Sequence, residues 1–184
     1  TDGIMKQEFK WPSETVNAAV FSKNGDTILT GSEDNTARLW NLQGKMIKEI
    51  KVLKPKKNIP TAASPTENKI LTGAADNSSI LWAMGGDKLV TFKGHSETVN
   101  AVAFSPGGDS IITGSNDGTA ILWNLNGDSL KTFKGHSGNI NSVTFSQNGD
   151  RVLTGSDDDS AFLWNREGKI IKQFKFQPGK VISV

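Results

Sequence analysis

A repeat period of 41–42 residues constrains the fold of this chain more than any other feature of its sequence. Four tryptophans recur at intervals of 42, 41 and 41 residues, namely Trp40, Trp82, Trp123 and Trp164. A glycine stands nine residues before each of them, at Gly31, Gly73, Gly114 and Gly155. A period kept over four copies indicates a repeat architecture, in which each unit buries its apolar face against its neighbours.

The residues within one repeat have the pattern of β-strands. In the third repeat the predicted strands are Val99–Phe104, Ser110–Thr113, Ala120–Trp123 and Ser129–Phe133. Turn residues such as Pro106-Gly107-Gly108-Asp109 separate them. Four short antiparallel strands in one such repeat match one blade of a β-propeller, whereas a helical repeat would need longer amphipathic segments. The blades are predicted at residues 14–50, 58–92, 98–133 and 139–174.

The two ends of the chain continue the repeat without completing it. Residues 4–9 align with the outermost strand of a preceding blade, and residues 180–184 align with the innermost strand of a following one. The expected fold is therefore all-β: a propeller segment of four complete four-stranded antiparallel blades with one flanking strand at each end, in an incomplete ring. Because an open arc exposes apolar blade faces, we expect the remaining blades to come from a longer polypeptide. Assembly from several chains is the alternative.

Two copies of a Gly-His element place the repeats in a known family. In Lys93-Gly94-His95 and Lys134-Gly135-His136 the histidine precedes the tryptophan of its repeat by 28 residues. With the tryptophan period, this element resembles the WD-repeat propeller family, and near-copies such as Thr113–Asn124 resemble bacterial repeat arrays. The family's terminal Asp is absent here, since Asn or Ala follows each of the four tryptophans.

The resemblance implies a hydrogen-bonded set of four residues in each blade. Complete sets are His95, Ser115, Asp117 and Trp123 in the third repeat and His136, Ser156, Asp158 and Trp164 in the fourth. Partial sets are Ser32, Asp34 and Trp40 in the first repeat and Asp76 and Trp82 in the second. Trp11-Pro12 replaces Gly-His in the first repeat, and Lys54 occupies the histidine position in the second.

A histidine, an aspartate and a serine also suggest a catalytic triad. Their repetition in successive blades favours a structural role, and no nucleophile elbow, phosphate loop or His-Glu-x-x-His motif accompanies them. Two histidines in separate blades cannot form a zinc site. We therefore expect no enzyme activity, no cofactor and no metal.

Composition bears on the compartment and the partners. The net charge is +2, cysteine is absent, and no apolar run is long enough to span a bilayer. These features favour a cytoplasmic protein without a membrane or nucleic-acid partner. Four lysines cluster in the second repeat, at Lys51, Lys54, Lys56 and Lys57. Two interpretations remain open, an acceptor for an acidic partner or phosphate backbone and an ordinary solvated loop.

The leading functional hypothesis is a non-catalytic scaffold or recognition platform that binds a protein or peptide at the propeller rim. The candidate rim residues are polar or acidic, namely Glu14, Asn17, Glu33, Glu97, Asn100, Asn116, Asn141 and Asp157. They favour a polar or cationic partner segment. The alternative is a C-terminal sensor region of a larger signalling ATPase, protease or kinase. The second blade is expected to be the least rigid, with faster amide exchange in residues 50–70 than in residues 98–118.

Overall fold

The computed structural model describes residues 15–34, 36–51, 60–74, 76–176 and 179–184. These residues form sixteen β-strands and no helix. The strands are β1 (Val16–Phe21), β2 (Thr27–Ser32), β3 (Thr36–Asn41), β4 (Met46–Lys51), β5 (Thr61–Ala63), β6 (Lys69–Gly73), β7 (Ser78–Ala83), β8 (Lys88–Lys93), β9 (Val99–Phe104), β10 (Ser110–Ser115), β11 (Thr119–Asn124), β12 (Ser129–Lys134), β13 (Ile140–Phe145), β14 (Arg151–Ser156), β15 (Ser160–Asn165) and β16 (Ile170–Lys175).

Every four consecutive strands form one antiparallel sheet in sequence order, and we call these sheets blades one to four. This confirms the prediction of an all-β chain with four four-stranded antiparallel blades. The tight turn between the second and third strands needs one residue with positive φ. Gly118 supplies it in blade three, whereas Asn77 (φ 67°) and Asp159 (φ 60°) supply it in blades two and four. Asn and Asp are the side chains that tolerate this conformation best after glycine.

The apolar core lies between neighbouring blades. One cluster joins Leu71, Leu81 and Phe92 of blade two to Ile111 and Trp123 of blade three. Equivalent clusters join blade one to blade two and blade three to blade four. Because both faces of an inner blade are covered, its second and third strands are nearly continuous runs of buried residues.

Two ring contacts repeat across these interfaces. The rings of Phe92 and Trp123 meet edge to face with centroids 5.7 Å apart, and those of Phe133 and Trp164 meet at 5.6 Å. Ile50 stands at the phenylalanine position between blades one and two. Trp82, Trp123 and Trp164 therefore each pack their blade against the preceding one, which explains the period of the sequence.

The innermost strands of the four blades pack side by side in the order β1, β5, β9, β13. A Cβ atom added to Gly114 would lie 2.6 Å from Ile140 Cγ2 and 2.8 Å from Val143 Cγ1 of the next blade. Gly155 is equally close to Val181. The recurring glycine thus allows the inner strand of the following blade to approach the second strand.

The two predicted flanking strands have different outcomes. Residues 4–9 lie outside the described residues, as does the start of the first predicted blade. At residues 180–184 the prediction is wrong, because the segment forms no strand. Val181 N–H donates to Ser156 O, and no described strand is available as a second partner. Because it has no second strand to pair with among the described residues, the segment lies beside blade four and forms no β-ladder.

Candidate functional site

His95 lies at the centre of a buried hydrogen-bond network in blade three. It stands in the loop before β9, where Nδ1 lies 2.9 Å from Asp117 Oδ2 and Nε2 lies 2.7 Å from Thr113 Oγ1. The indole N–H of Trp123 donates to the same threonine oxygen at 2.9 Å. Because a carboxylate only accepts, Nδ1 carries the proton and Nε2 accepts from the Thr113 hydroxyl.

Blade four repeats this geometry. His136 Nδ1 lies 2.9 Å from Asp158 Oδ2, and His136 Nε2 lies 2.7 Å from Thr154 Oγ1. Trp164 donates its indole N–H to Thr154 Oγ1 at 2.9 Å. The imidazole also stacks on Phe162 with ring centroids 4.1 Å apart. Two copies with the same distances indicate structural scaffolding that is repeated in blades three and four.

The structure corrects one member of each predicted set. The hydroxyl that joins histidine to tryptophan belongs to Thr113 and Thr154, and not to Ser115 and Ser156. Ser115 Oγ donates to Glu97 O at 3.0 Å and accepts the backbone N–H of Asp117 at 3.1 Å. Ser115 lies at the end of β10, beyond a bulge in the pairing with β9, whereas Thr113 lies at the middle of the strand beside the indole.

Burial and hydrogen bonding act in opposite directions on the two network carboxylates. Burial raises the pKa of Asp117, but the hydrogen bonds from Thr119 and His95 together lower it by more. The pKa of Asp117 therefore lies below its ordinary value. For Asp158 burial likewise raises the pKa, and Ser160 and the Ser137 N–H lower it to a net decrease. Both groups are therefore carboxylates at neutral pH, as the network requires.

Aspartate contacts histidine and histidine contacts threonine, as in a catalytic triad, but a substrate cannot reach the histidine and threonine side chains. The side chain of His95 is 2% exposed and Thr113 is fully buried. The Thr113 oxygen is already paired with the Trp123 indole. A substrate cannot reach this hydroxyl, so the arrangement supports the blade and offers no nucleophile.

Blade one replaces the missing histidine with an arginine. Trp40 still donates to Thr30 Oγ1 at 2.8 Å. Arg38 Nη1 lies 2.7 Å from Asp34 Oδ2, and its Nε lies 3.0 Å from Glu49 Oε2. Ile80, Ile121 and Phe162 occupy the position of Arg38 in the other blades. The sequence signal for the Arg38–Asp34 ion pair was a single charged residue, Arg38, in the apolar third strand of a repeat that lacks the Gly-His element.

Blade two keeps the indole contact and loses the rest. Trp82 donates to Thr72 Oγ1 at 3.0 Å. Asp76 Oδ1 accepts from the backbone N–H and the hydroxyl of Ser78. Ala74 stands where the other blades have a serine. Lys54, the residue at the histidine position in the sequence, lies outside the described residues.

One asparagine of the predicted rim in each of blades three and four bonds to the chain segment that follows its blade. The Asn100 side-chain amide donates to Asn116 Oδ1 of its own blade and, at 3.2 Å, to Ile140 O of the next. Asn141 does the same between Asp157 Oδ1, at 2.7 Å, and Val181 O, at 3.2 Å. This function was not predicted from the sequence, where the two asparagines were only candidate binding residues.

A groove of about 350 Å³ brings three of the predicted rim residues together. Asn100, Asn116 and Asn141 line it with Ile182, whose side chain is 76% exposed. Of the other rim candidates, Glu97 is exposed, Glu33 and Asp157 are half-buried, and none of these three lines the groove. Glu14 lies outside the described residues, and the side chain of Asn17 is not described.

The lysine cluster predicted in the second repeat lies only partly within the described residues. Of the four clustered lysines, Lys51 is exposed at the end of β4, and Lys54, Lys56 and Lys57 lie outside the described residues. In the part of the chain that is described, no group of three or more His, Asp or Glu side chains could hold a metal ion. No helix there is long and apolar enough to cross a membrane.

Four-stranded blades, a repeating tryptophan at each described interface and an Asp-His-Thr-Trp network in two blades define a segment of a β-propeller. The chain matches the family described as WD domain, G-beta repeat, over residues 4–41, 86–124 and 127–165. These ranges cover more than half of the chain, which therefore belongs to the WD-repeat family. The matches leave out most of blade two, where the network is incomplete.

A curated relative carries the same repeats. A stretch of 52 residues, 28% of this chain, is 36% identical to WD repeat-containing protein slr1409 of Synechocystis sp. (strain ATCC 27184 / PCC 6803 / Kazusa). The stretch spans only 16% of that relative's length.

Proposed function

We propose that this chain is a non-catalytic interaction platform that binds a polypeptide segment at the groove formed by Asn100, Asn116, Asn141 and Ile182. WD repeats generally mediate protein–protein interaction, which supports the class of function. The observation that supports this location of the binding site is the groove itself, which lies where the inner strands of two successive blades meet.

The groove offers the chemistry that a peptide backbone needs. Among the described residues, the Asn116 Nδ2 group has no acceptor and the Asn141 Oδ1 atom has no donor. One free amide donor and one free amide acceptor can pair with a peptide C=O and N–H. Ile182 adds an exposed apolar contact beside them.

A carboxylate next to the groove favours a cationic segment. The hydrogen bond from Asn141 lowers the pKa of Asp157, burial raises it, and Lys180 lowers it, with a net decrease. Asp157 is therefore charged at neutral pH. Lys180 lies 3.3 Å from this carboxylate and is mostly exposed, so a lysine or arginine of the partner can replace it at low cost.

A random peptide library displayed on phage, selected against this chain, supplies a concrete probe for the proposal. The affinity of the selected peptide is measured by fluorescence anisotropy for the parent chain, Ile182→Lys and the control Leu130→Lys. Leu130 is also exposed, at 52%, but lies on the outer strand β12. We expect Ile182→Lys to weaken binding about tenfold or more and Leu130→Lys to leave it unchanged. Equal effects of both variants would exclude the groove.

The second proposal is a sensor region of a larger signalling ATPase, protease or kinase. The similarity of Thr113–Asn124 to Thr154–Asn165, identical at eight of twelve positions, resembles that of bacterial repeat arrays and favours it. Its test is the complete reading frame, in which a phosphate-binding Gly-x-x-x-x-Gly-Lys-Ser/Thr motif would support a fused ATPase. A frame without any enzyme domain would exclude it.

A further inference from the structure

The outermost strand of every blade contains a β-bulge at the same place. In blade three, Leu122 pairs with Lys131. The next residue, Trp123, pairs with Ser129, so Leu130 is left without a partner in β11. The corresponding shifts in blades one, two and four leave out Ile47, Leu89 and Ile171. The bulged residue is therefore a leucine or an isoleucine in all four blades.

These four aliphatic side chains are about half exposed, at 52%, 45%, 52% and 49% in chain order. They recur at intervals of 42, 41 and 41 residues, the same intervals as the four tryptophans. A single exposed leucine is common on a protein surface, and scattered ones carry no meaning. Recurrence at the bulge of every blade makes the exposed apolar side chain a feature of the repeat.

The four bulges lie on one continuous surface, because the turn between the third and fourth strands of a blade packs on the outer strand of the preceding blade. A Cβ atom added to Gly168 would lie 2.5 Å from Lys131 Cε, and one added to Gly127 would lie 3.1 Å from Val90 Cγ1. The same contact exists between blades one and two. We call the surface formed by β4, β8, β12, β16 and these turns the outer belt.

The outer belt is rich in positive charge. Its four strands carry two exposed lysines each, namely Lys48, Lys51, Lys88, Lys93, Lys131, Lys134, Lys172 and Lys175. The single acidic residue of these strands, Glu49, is paired with Arg38. The turns add Asp87, Asp128 and Glu167. Since the net charge of the whole chain is only +2, its positive charge is concentrated on the belt.

Protection of an edge strand explains only part of this pattern. Bulges and lysines on an edge discourage pairing with another strand. An exposed aliphatic residue at the bulge has the opposite effect, because it adds apolar surface. The belt is therefore suited to contacts through side chains, with a partner that brings apolar groups and negative charge. A second copy of this chain does not fit, since its belt would bring the same lysines.

We propose that the outer belt binds an acidic polypeptide segment that carries aliphatic side chains. The aliphatic groups of the segment pack on Leu89, Leu130 and Ile171, and its Asp and Glu side chains pair with the lysines beside them. This surface is separate from the rim groove, and the proposal does not depend on binding there.

Two peptide libraries displayed on phage, one enriched in Glu and one in Lys, test the charge and the location together. Each is first depleted on the triple variant Leu89→Gln/Leu130→Gln/Ile171→Gln and then selected on the parent chain. The replaced side chains are exposed, so the variant should keep the urea midpoint of the parent. We expect binders from the acidic library only. No binder from that library, or equal numbers from both, would overturn the proposal.

The affinity of a selected acidic peptide is then measured by fluorescence anisotropy. The triple variant and Lys88→Glu/Lys134→Glu should each weaken binding about tenfold or more. Affinity for the parent should fall about three- to tenfold between roughly 0.05 M and 0.5 M salt. The controls are Phe21→Gln, at a side chain 63% exposed on the inner strand β1, and Lys23→Glu in the turn that follows. Equal losses in variants and controls would refute the assignment to the belt.

Two further measurements separate this surface from other sites and partners. Ile182→Lys, in the rim groove, should leave the affinity of the acidic peptide unchanged, and a loss as large as that of the triple variant would place the peptide at the rim. Co-sedimentation with phosphatidylglycerol vesicles tests a membrane instead. Vesicle binding that the triple variant abolishes, in the absence of any acidic binder, would overturn the proposal in favour of an anionic lipid surface.

Discussion

Replacing Thr113 with valine tests whether its hydroxyl holds blade three together. Valine keeps the shape of the side chain and removes the oxygen that accepts from Trp123 and donates to His95. Both partners are buried, with Trp123 at 2% and the His95 side chain at 2% exposure. A buried polar group left without a partner costs about 1–3 kcal/mol, so two such groups predict a loss of about 2–6 kcal/mol.

Two matched variants show whether this loss comes from the hydroxyl. Thr113→Ser keeps the oxygen and removes one methyl group, which costs about 1 kcal/mol. Thr72→Val removes the equivalent oxygen in blade two, where it accepts only from the half-buried Trp82, and should cost about 1–2 kcal/mol. The free energy of unfolding is measured by urea titration with circular dichroism and tryptophan fluorescence.

The expected order of stability loss is Thr113→Val, then Thr72→Val, then Thr113→Ser. Ser115→Ala completes the comparison, since Ser115 bonds only to backbone groups. If Thr113→Val cost no more than Thr113→Ser, or less than Ser115→Ala, the assignment of the network hydroxyl to Thr113 would be refuted.

Three further predictions concern packing, pH and local stability. Gly114→Ala should destabilise the chain by about 1–3 kcal/mol, because the new methyl group meets Ile140 of the next blade; an unchanged urea midpoint would contradict this. The folded-state pKa of Asp117 is lowered, so its contribution to stability is present above its unfolded pKa of about 3.9 and is lost as pH falls through the folded pKa. Urea titrations between pH 5 and acid should show a smaller loss for Asp117→Asn than for the parent, and equal losses would be inconsistent with the shift. Amides of β6 should exchange faster than those of β10, because its partner strand β5 has only three residues. Blade two also holds both of the buried side-chain oxygens that lack a hydrogen-bond partner among the described residues. Equal protection of β6 and β10 in hydrogen–deuterium exchange would count against this prediction.

The repeat period was sufficient to predict the blades, because it depends on residues that every blade uses in the same way. Trp82, Trp123 and Trp164 each pack at an interface between blades, and Gly114 admits the inner strand of the next blade. These are local requirements that recur in sequence, so the position of the strands follows from the pattern. The packing partners are one period away and needed no long-range inference.

The identity of the network hydroxyl could not be predicted from spacing. Thr113 and Ser115 recur together in the Thr-Gly-Ser segment, so the period does not distinguish them. Alternation also puts residues two apart on the same side of a strand. Only the register, with a bulge between Gly114 and Ser115, shows that the threonine reaches the imidazole.

The two connecting asparagines show a second limit. Asn100 bonds to the backbone oxygen of Ile140 in the following blade, and Asn141 bonds to that of Val181 in the segment after blade four, each forty residues away. Every residue has a backbone carbonyl, so the sequence does not show which carbonyl accepts a side-chain hydrogen bond. The polar rim residues were therefore interpreted as binding residues only. The structure shows that Asn100 also holds blades three and four together and that Asn141 holds the segment around Val181 against blade four.

The platform function is tested most directly by locating the selected peptide on the chain. Side-chain amide signals of Asn116 and Asn141 are followed by NMR during a titration with that peptide, with the exposed amide of Gln173 on the outer strand β16 as the reference. The account predicts saturable shifts of the Asn116 and Asn141 signals and none for Gln173. Shifts confined to the outer strands, with the groove amides unchanged at saturation, would contradict it.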